Sequence, residues 1–226
     1  AFQTFDEMFN IDLLWTALQS LLVALVASFF TLTTALALIY FSKWNYLKKI
    51  NIFRRIGTIG YVIPGAIIGI GIIKSSQSVI DFFSEYLNLS VGYLFYGSSI
   101  VLIYAYVFRF LSVTYNPLEA NSLKMGKHLS ESSYLLGIGK LKTLLKIDLP
   151  LIKNALISSF LLVFIDVMKE LPLTLILKPY NLKTLAISAY AYAEDEMVAE
   201  AALPSLVLIF IVMALMFSLK IDKRNG

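Results

Sequence analysis

Five apolar segments, each about as long as a lipid bilayer is thick, constrain the fold of this chain more than any other feature. They cover about residues 13–41, 56–73, 91–113, 150–168 and 201–219. A helix needs roughly 20 mostly apolar residues to cross about 30 Å of hydrocarbon. Backbone polar groups find no partner in lipid, so a spanning segment must bond them internally, as a helix does. The sequence therefore predicts an all-α integral membrane protein, a polytopic bundle of about five transmembrane helices.

The composition excludes a soluble domain. Of the 226 residues, 58% are hydrophobic and only 15% are charged, and the mean hydropathy is +0.77. Soluble chains carry roughly a quarter charged residues, so lipid must cover part of this apolar surface. We expect one transmembrane domain over residues 1–226, in which the short stretch 182–192 forms a half-inserted or external helix. The first residue is Ala1 rather than Met, and one interpretation is a fragment or second half of a longer chain.

The basic and acidic residues lie in different loops, and this separation predicts an orientation. Lysine and arginine stay preferentially on the cytoplasmic side of short loops. Basic residues follow the first and third spans and close the chain: Lys43, Lys48, Lys49, Arg54, Arg55, Arg109, Lys124, Lys127, Lys140, Lys142, Lys146, Lys220, Lys223 and Arg224. Acidic residues occupy the other side: Asp6, Glu7, Asp12, Asp81, Glu85, Glu194, Asp195, Glu196 and Glu200. We expect the N-terminus outside and the C-terminus in the cytoplasm, and we attribute the net charge of +4 to topology rather than to nucleic-acid binding.

The longest loop, residues 116–150, lies on the predicted cytoplasmic side and is expected to hold two short helices. Asn116 and Pro117 favour a helix start, because Asn caps well and Pro is tolerated in the first turn. Gly137 can adopt the left-handed conformation that ends a helix. A second amphipathic helix over residues 140–148 would turn three leucines inward, namely Leu141, Leu144 and Leu145.

Seven residues of this loop fall at a distinctive spacing, namely Glu131, Ser132, Ser133, Gly137, Ile147, Leu149 and Pro150. This pattern resembles the EAA loop of ATP-binding-cassette (ABC) importer permeases. That motif runs Glu-Ala-Ala, three residues, Gly, nine residues, Ile, one residue, then Leu-Pro. Serine replaces both alanines, which is a small change in size. The other interpretation is an ordinary amphipathic loop that lies on the bilayer.

This resemblance implies a type I ABC importer permease (MetI-like) fold and a set of partners. In that family the loop forms coupling helices, which sit in a groove on separate ATP-hydrolysing subunits and pass their closure to the membrane helices. Glu131 would be the polar contact to the ATPase, and Gly137 the turn that lets the loop dock. The other implied partners are a periplasmic or extracellular solute-binding protein and a second permease domain, either a homodimer or the other half of a longer chain. The implied location is a bacterial plasma (inner) membrane.

At the end of the fourth span, residues 169–172 read Lys-Glu-Leu-Pro, residues 175–179 are an apolar stretch that ends in a basic residue and Pro, and residues 184–186 read Thr-Leu-Ala. This order of segments resembles that of the ferric iron permeases of the same superfamily. Arg109 and Phe110, expected at the cytoplasmic end of the third span, are also similar. The resemblance implies import of ferric iron, with thiamine, phosphonate and other small solutes as the nearest alternatives.

Three charged residues near the outer end of the fourth span are candidates for a translocation pathway or gate. Asp166, Lys169 and Glu170 occupy positions i, i+3 and i+4 and would share one helix face. Charges there are costly in lipid and should face the bundle interior or a watery path. Carboxylates suit a trivalent cation, so Glu170 is a candidate iron contact, and an internally paired cluster is the equally favoured alternative. Pro172 would stop the helix and leave residues 173–179 as an external gate.

Other classes of function fit the sequence less well. The chain has no GxxxxGK[S/T] phosphate-binding loop, so ATP hydrolysis would belong to a partner subunit and this chain would not be an enzyme. The chain has no cysteine, and its single histidine, His128, lies in a predicted loop. Neither a cofactor site nor an intramembrane catalytic group is therefore evident. An ion-coupled secondary transporter, the alternative from another class, would place more ionisable residues near the bilayer midplane.

Overall fold

The computed structural model describes residues 11–43, 59–87, 92, 98–124 and 128–222, and these ranges are built from helices. Some of the basic and acidic loop residues used to predict the orientation, such as Lys48 and Asp6, lie outside the described residues. The helices are α1 Ile11–Lys43, α2 Gly65–Leu87, α3 Ser99–Lys124, α4 His128–Leu135, α5 Lys140–Leu151, α6 Lys153–Met168, α7 Pro172–Leu177, α8 Leu185–Glu194 and α9 Val198–Asp222.

The bundle has the predicted number of membrane-spanning elements. Within the described residues, α1, α2, α3 and α9 are each long and apolar enough to cross a membrane. The fifth candidate is a bent pair, in which α5 meets α6 at an angle of 76°. The prediction of an all-α bundle of about five spans is therefore confirmed.

The predicted bounds of the second span and the predicted end of the third span were wrong, while the predicted start of the third, at about residue 91, lies outside the described residues. The second was expected over residues 56–73, but α2 begins at Gly65 and continues to Leu87, with residues 60–63 forming a turn. Pro64 fixes the start, because its carbonyl accepts from the backbone N–H of Ile67 at 3.0 Å and of Ile68 at 3.2 Å. Hydropathy alone could not separate this apolar turn from the helix behind it.

The predicted helix start at Asn116 and Pro117 was also wrong, because α3 runs through both residues to Lys124. A proline inside a helix normally costs stability by removing one backbone hydrogen bond. Here the next residue, Leu118, is fully buried in an apolar cluster with Ile39 of α1 and Ile152. Tertiary packing therefore keeps α3 continuous, and the loop beyond it is shorter than residues 116–150.

Helix α1 packs closely against α3 and α6 through a row of small residues. The buried members of this row are Thr16, Ser20, Ala24, Ala27, Ser28, Thr31 and Ala35. Their hydroxyl groups donate to carbonyls one turn back, as from Ser28 to Ala24 at 2.6 Å and from Thr31 to Ala27 at 2.7 Å. Small side chains with satisfied hydroxyls let backbones approach in lipid. Large apolar side chains such as Leu14, Leu18 and Leu22 of α1 point outward, where lipid would cover them.

Two short helices follow α6. The helix before Pro172 ends at Met168, and Pro172 is the first residue of α7. Leu173, Thr174 and Leu177 are buried in the core, so this segment is a packed helix rather than an exposed loop, and its role as an external gate stays a prediction. The expected short helix over 182–192 is present as α8, and the backbone N–H of Leu185 donates to Ser20 of α1 at 2.8 Å.

Candidate functional site

A buried ion pair between Arg109 and Glu170 joins three parts of the bundle. Arg109 lies near the middle of α3, and its Nε is 3.3 Å from Oε2 of Glu170, which follows the end of α6. Its Nη1 donates to the carbonyl of Ile63, just before α2, at 2.8 Å. The other carboxylate oxygen of Glu170 accepts from the backbone N–H of Leu173 at 3.3 Å. The pair therefore ties α3 to the start of α2 and to the α6–α7 junction.

Gly65 gives this pair the room that it needs. A Cβ atom at position 65 would lie 2.5 Å from Oε1 of Glu170 and 2.9 Å from Nη1 of Arg109. No side chain larger than hydrogen fits there unless the pair moves. A side chain at position 65 would push the two charges apart, and a buried charge that loses its partner destabilises the fold. We therefore expect substitutions of Gly65 to lower the stability of the protein.

The structure separates the three charged residues that were expected to share one helix face. Helix α6 ends at Met168, so the chain has turned before it reaches Glu170. Asp166 instead pairs with Lys169, with 2.8 Å between Oδ1 and Nζ, and 59% of the Lys169 side chain is exposed. The Glu170 side chain is only 9% exposed. These residues form two pairs in different surroundings rather than one cluster.

Arg109 lies nearer the middle of its helix than the sequence predicted. It was expected at the cytoplasmic end of the third span, because that span was predicted to end at Val113. Since α3 runs from Ser99 to Lys124, Arg109 falls in its interior. A charge inside a helix that spans a membrane needs a partner within the protein, and Glu170 supplies it.

The ion pair bears directly on the hypothesis of a metal contact at Glu170. In the described part of the chain, no group of three or more histidine or acidic side chains is arranged to hold a metal ion. Both carboxylate oxygens of Glu170 already have partners, in Arg109 and the backbone of Leu173. A cation at Glu170 would have to compete with the positive charge of Arg109.

The loop residues that match the EAA motif form a hairpin of two helices, α4 and α5, which we call the α4–α5 hairpin. Gly137 lies between them with a φ of 77°, in the left-handed region, as expected from its position after a helix. Glu131 and Ser132 are exposed, and so is Pro150. Ile147 and Leu149 are half-buried, the latter against the apolar cluster that contains Leu118.

The hydroxyl groups of Ser133 and Thr143 join the two helices of the hairpin. Oγ of Ser133 lies 2.7 Å from Oγ1 of Thr143, and both side chains are buried. An alanine at position 133, as in the family motif, could not make this bond. The serine in this position therefore contributes a polar connection as well as a small volume.

The inward face of α5 differs from the predicted one. Leu141 and Leu145 were expected to point inward but are exposed, while Leu144 is half-buried. The backbone from Leu144 to Asp148 is a π-helical turn, which widens the helix and shifts the register of its faces. Thr143 and Asp148, five residues apart, become the buried positions. A period of 3.6 residues could not have identified them.

A second buried polar cluster connects the hairpin to α1, and the sequence did not predict it. Lys43 Nζ lies 3.2 Å from Oδ2 of Asp148 and donates to Oγ of Ser130 at 2.9 Å. Ser130 Oγ in turn donates to Oδ1 of Asp148 at 2.9 Å. We call these three residues the Lys43–Asp148 cluster. One feature of the sequence could have indicated this cluster: Asp148 lies between two apolar residues, Ile147 and Leu149. A carboxylate in such surroundings is buried only if it has polar partners.

We predict that Gly65→Ala lowers the free energy of unfolding by about 1–3 kcal/mol, the usual effect of an added group in a packed site. The new Cβ would collide with the carboxylate of Glu170 and the guanidinium of Arg109. Gly71→Ala in the same helix is the control, because nothing lies within 4 Å of a Cβ there. That control should be neutral or slightly stabilising, since Gly in a helix interior costs about 0.5–1 kcal/mol relative to Ala. Unfolding of both variants in detergent micelles is the measurement, and equal stabilities would contradict the prediction.

We also predict that Ser133→Cys/Thr143→Cys forms a disulfide that joins α4 and α5. The two hydroxyl oxygens are 2.7 Å apart, so sulfur atoms in their place need little movement to reach the bond length of about 2.05 Å. The chain has no cysteine of its own, which makes loss of free thiols a direct readout. The exposed neighbour serves as control, because Ser132→Cys/Thr143→Cys should keep both thiols under the same mild oxidation.

Two curated relatives align with most of this chain. The first is named "Probable transport system permease protein NifC" of Clostridium pasteurianum and is 26% identical over 200 residues, which is 86% of this chain and 68% of that protein. The second is the Fe(3+)-transport system permease protein FbpB 2 of Haemophilus influenzae, 24% identical over 192 residues and 84% of this chain. The chain spans only 35% of the length of that second protein.

A solved structure and a family model identify the fold and the family. The MetNI methionine ABC transporter in an inward-facing conformation superposes with a TM-score of 0.68 at 16% sequence identity, over 96% of this chain and 99% of that one. At that identity the likeness concerns the fold, which is the predicted MetI-like permease fold. The family model described as "Binding-protein-dependent transport system inner membrane component" matches residues 46–221. The chain therefore belongs to this family, the permease subunits of ABC importers.

Proposed function

We propose that this chain forms the translocation pathway of an ATP-driven importer for a solute delivered by an external binding protein, with ferric iron as the favoured solute. The observation that carries the proposal is the α4–α5 hairpin, which presents acidic and apolar side chains outward while buried bonds hold its two helices together. Loaded binding protein would dock outside, and ATP-dependent closure of the partner subunits would move the hairpin. The transmembrane helices would then open the pathway to the solute.

The exposed surface of the hairpin suits a partner protein. Leu135 and Leu136 are 89% and 80% exposed, and Leu141 and Leu145 are also exposed. Exposed leucines grouped beside a polar residue such as Glu131 are typical of a protein interaction site. Because the inner side of the hairpin is fixed by bonds from Ser133 and Asp148, a force applied to this surface would move the hairpin as a unit. We assign Glu131, Ser132, Ser133, Gly137, Ile147, Leu149 and Pro150 to this ATPase-coupling element.

The Arg109–Glu170 pair is our candidate for the gate of the pathway. It links α2, α3 and the α6–α7 junction across the bundle, so a change in helix arrangement must either keep or break it. An alternating-access cycle needs a contact that differs between its two states. The Asp166–Lys169 pair and Pro172 lie next to this gate along the chain. Opening of the pair would free a carboxylate, which is the hard oxygen donor that a trivalent cation favours.

Ferric iron is favoured by the segment at 169–186, which resembles that of ferric iron permeases, and by the name of one relative. A complete pathway would need a second permease domain, because five spans surround a solute only in part. Large exposed apolar side chains on α1 and α9 leave room for such a domain as well as for lipid. In the proposed orientation the N-terminus is outside and the α4–α5 hairpin is cytoplasmic.

We predict that Glu131→Lys greatly reduces the amount of ATPase that co-purifies with the chain from its native membrane. The substitution reverses the one acidic charge of α4 at the proposed docking surface. Glu85→Lys, also at an exposed position but in the last turn of α2, away from the hairpin, should leave co-purification unchanged. Equal recovery of ATPase with both variants would remove the hairpin from the docking surface.

We further predict that Glu170→Gln lowers uptake of radiolabelled Fe³⁺ into reconstituted vesicles by about tenfold or more, which corresponds to about 1.4 kcal/mol. The amide keeps the shape of the side chain but loses its charge, so the bond with Arg109 weakens in one state of the cycle. ATPase co-purification should be unaffected. Glu194→Gln, at an exposed acidic position, is the control. Normal uptake by Glu170→Gln would exclude Glu170 from the mechanism.

A further inference from the structure

The Lys43–Asp148 cluster joins the end of α1 to both helices of the α4–α5 hairpin. Lys43 is the last residue of α1, Ser130 belongs to α4, and Asp148 belongs to the π-helical turn of α5. Along the sequence, Lys43 is 87 residues from Ser130 and 105 residues from Asp148. The cluster therefore makes a cross-connection between the hairpin and the end of a transmembrane helix distant in sequence.

The three bonds form a closed ring that leaves little freedom. One oxygen of Asp148 accepts from Ser130 at 2.9 Å and the other from Lys43 at 3.2 Å, and Lys43 also donates to Ser130 at 2.9 Å. The Asp148 side chain is only 1% exposed, so water cannot easily replace a lost partner. The ring of Tyr40, one turn back on α1, lies 5.5 Å from Lys43 Nζ. Such bonds fix direction as well as distance, which apolar contacts do not.

Stability alone does not require charges here. The same end of α1 already packs through Ala35, Ile39 and Tyr40 against apolar residues of α3 and α6. A buried ion pair is weak evidence for stability, because apolar residues of similar volume often serve as well or better. What the charged ring adds is a fixed orientation of the hairpin relative to α1.

We propose that the Lys43–Asp148 cluster carries movement of the α4–α5 hairpin to α1. The hairpin is joined covalently to α3 and α6, and the cluster makes α1 a third transmembrane helix that follows it. The row of small residues on α1 then passes this movement along the bundle, because that row packs closely against α3 and α6. The inference rests on the proposed function, in which a partner ATPase moves the hairpin. It goes beyond the family match, which begins at residue 46, after α1 has ended.

The test removes the polar ring and keeps its volume. The variant Lys43→Met/Ser130→Ala/Asp148→Leu, which we call the apolar-ring variant, should fold and assemble, since no buried charge is left without a partner. Lys153→Met, an exposed lysine at the start of α6, is the control for loss of a charge at this end of the bundle. Both are compared with the parent chain in complex with the ATPase that co-purifies with it.

The readout is the movement of helix ends far from the hairpin. Spin labels on Leu14→Cys and Ile100→Cys report the distance between α1 and α3, and labels on Ile100→Cys and Tyr180→Cys report α3 against the loop after α7. All of these positions are exposed, and no native cysteine competes for the label. Each distance is measured with and without ATP plus vanadate, which traps the closed ATPase.

In the parent and in Lys153→Met, we expect the nucleotide to shift both distances. In the apolar-ring variant, we expect the shift between α1 and α3 to be lost and the second shift to remain, with ATP hydrolysis retained and solute uptake per ATP reduced. An unchanged α1 shift in a folded apolar-ring variant would overturn the proposal and reduce the cluster to a packing feature. Should that variant not assemble, Lys43→Met/Asp148→Asn decides in the same way, because it leaves no buried charge and keeps a polar partner for Ser130 within the hairpin, while the connection from α1 is lost.

Failure of the inference is distinct from failure of the proposed function. A parent complex in which the nucleotide shifts neither distance, or a parent chain that binds no ATPase, would refute ATP-driven coupling and the inference with it. A parent that moves, together with a variant that moves equally, would refute only the role of the cluster.

Discussion

Two buried carboxylates, each held by a basic side chain, organise this bundle. Hydrocarbon offers no water to a charge, so a carboxylate that leaves solvent must find its partners within the protein. Glu170 meets Arg109 in the interior, and Asp148 meets Lys43 at the end that carries the hairpin. In both places the partners come from helices distant in sequence, so each pair fixes an arrangement that apolar contacts alone would leave free to slide.

The two pairs stand at opposite ends of α6. Asp148 lies before this helix, across the bend at Ile152, and Glu170 lies after its last residue, Met168. The helix between them has 16 residues and is packed on α1 and α3. The helix α6 therefore lies between the two pairs along the chain, which gives the proposed docking surface and the proposed gate a common neighbour.

The sequence predicted those features that depend on local chemistry. Apolar length identified the spans, and Gly137 was recognised because a left-handed residue after a helix favours glycine. The predictions from the sequence were wrong where contacts between distant parts of the chain determine the local structure. Pro117 looked like a helix start, but the burial of Leu118 keeps α3 continuous. Leu141 and Leu145 looked like inward positions, but a π-helical turn moves the buried face to Thr143 and Asp148. The charge partners of Glu170 and Asp148 could not be predicted, because each lies more than fifty residues away.

The bend between α5 and α6 has a mechanical consequence. At 76° the two axes are nearly perpendicular, so a thrust directed along α5 reaches α6 mainly as a sideways force at its base. The bend at Ile152 is therefore suited to convert a push on α5 at the membrane surface into a tilt of α6. The displacement of α6 would be greatest at the end that lies farthest from the bend.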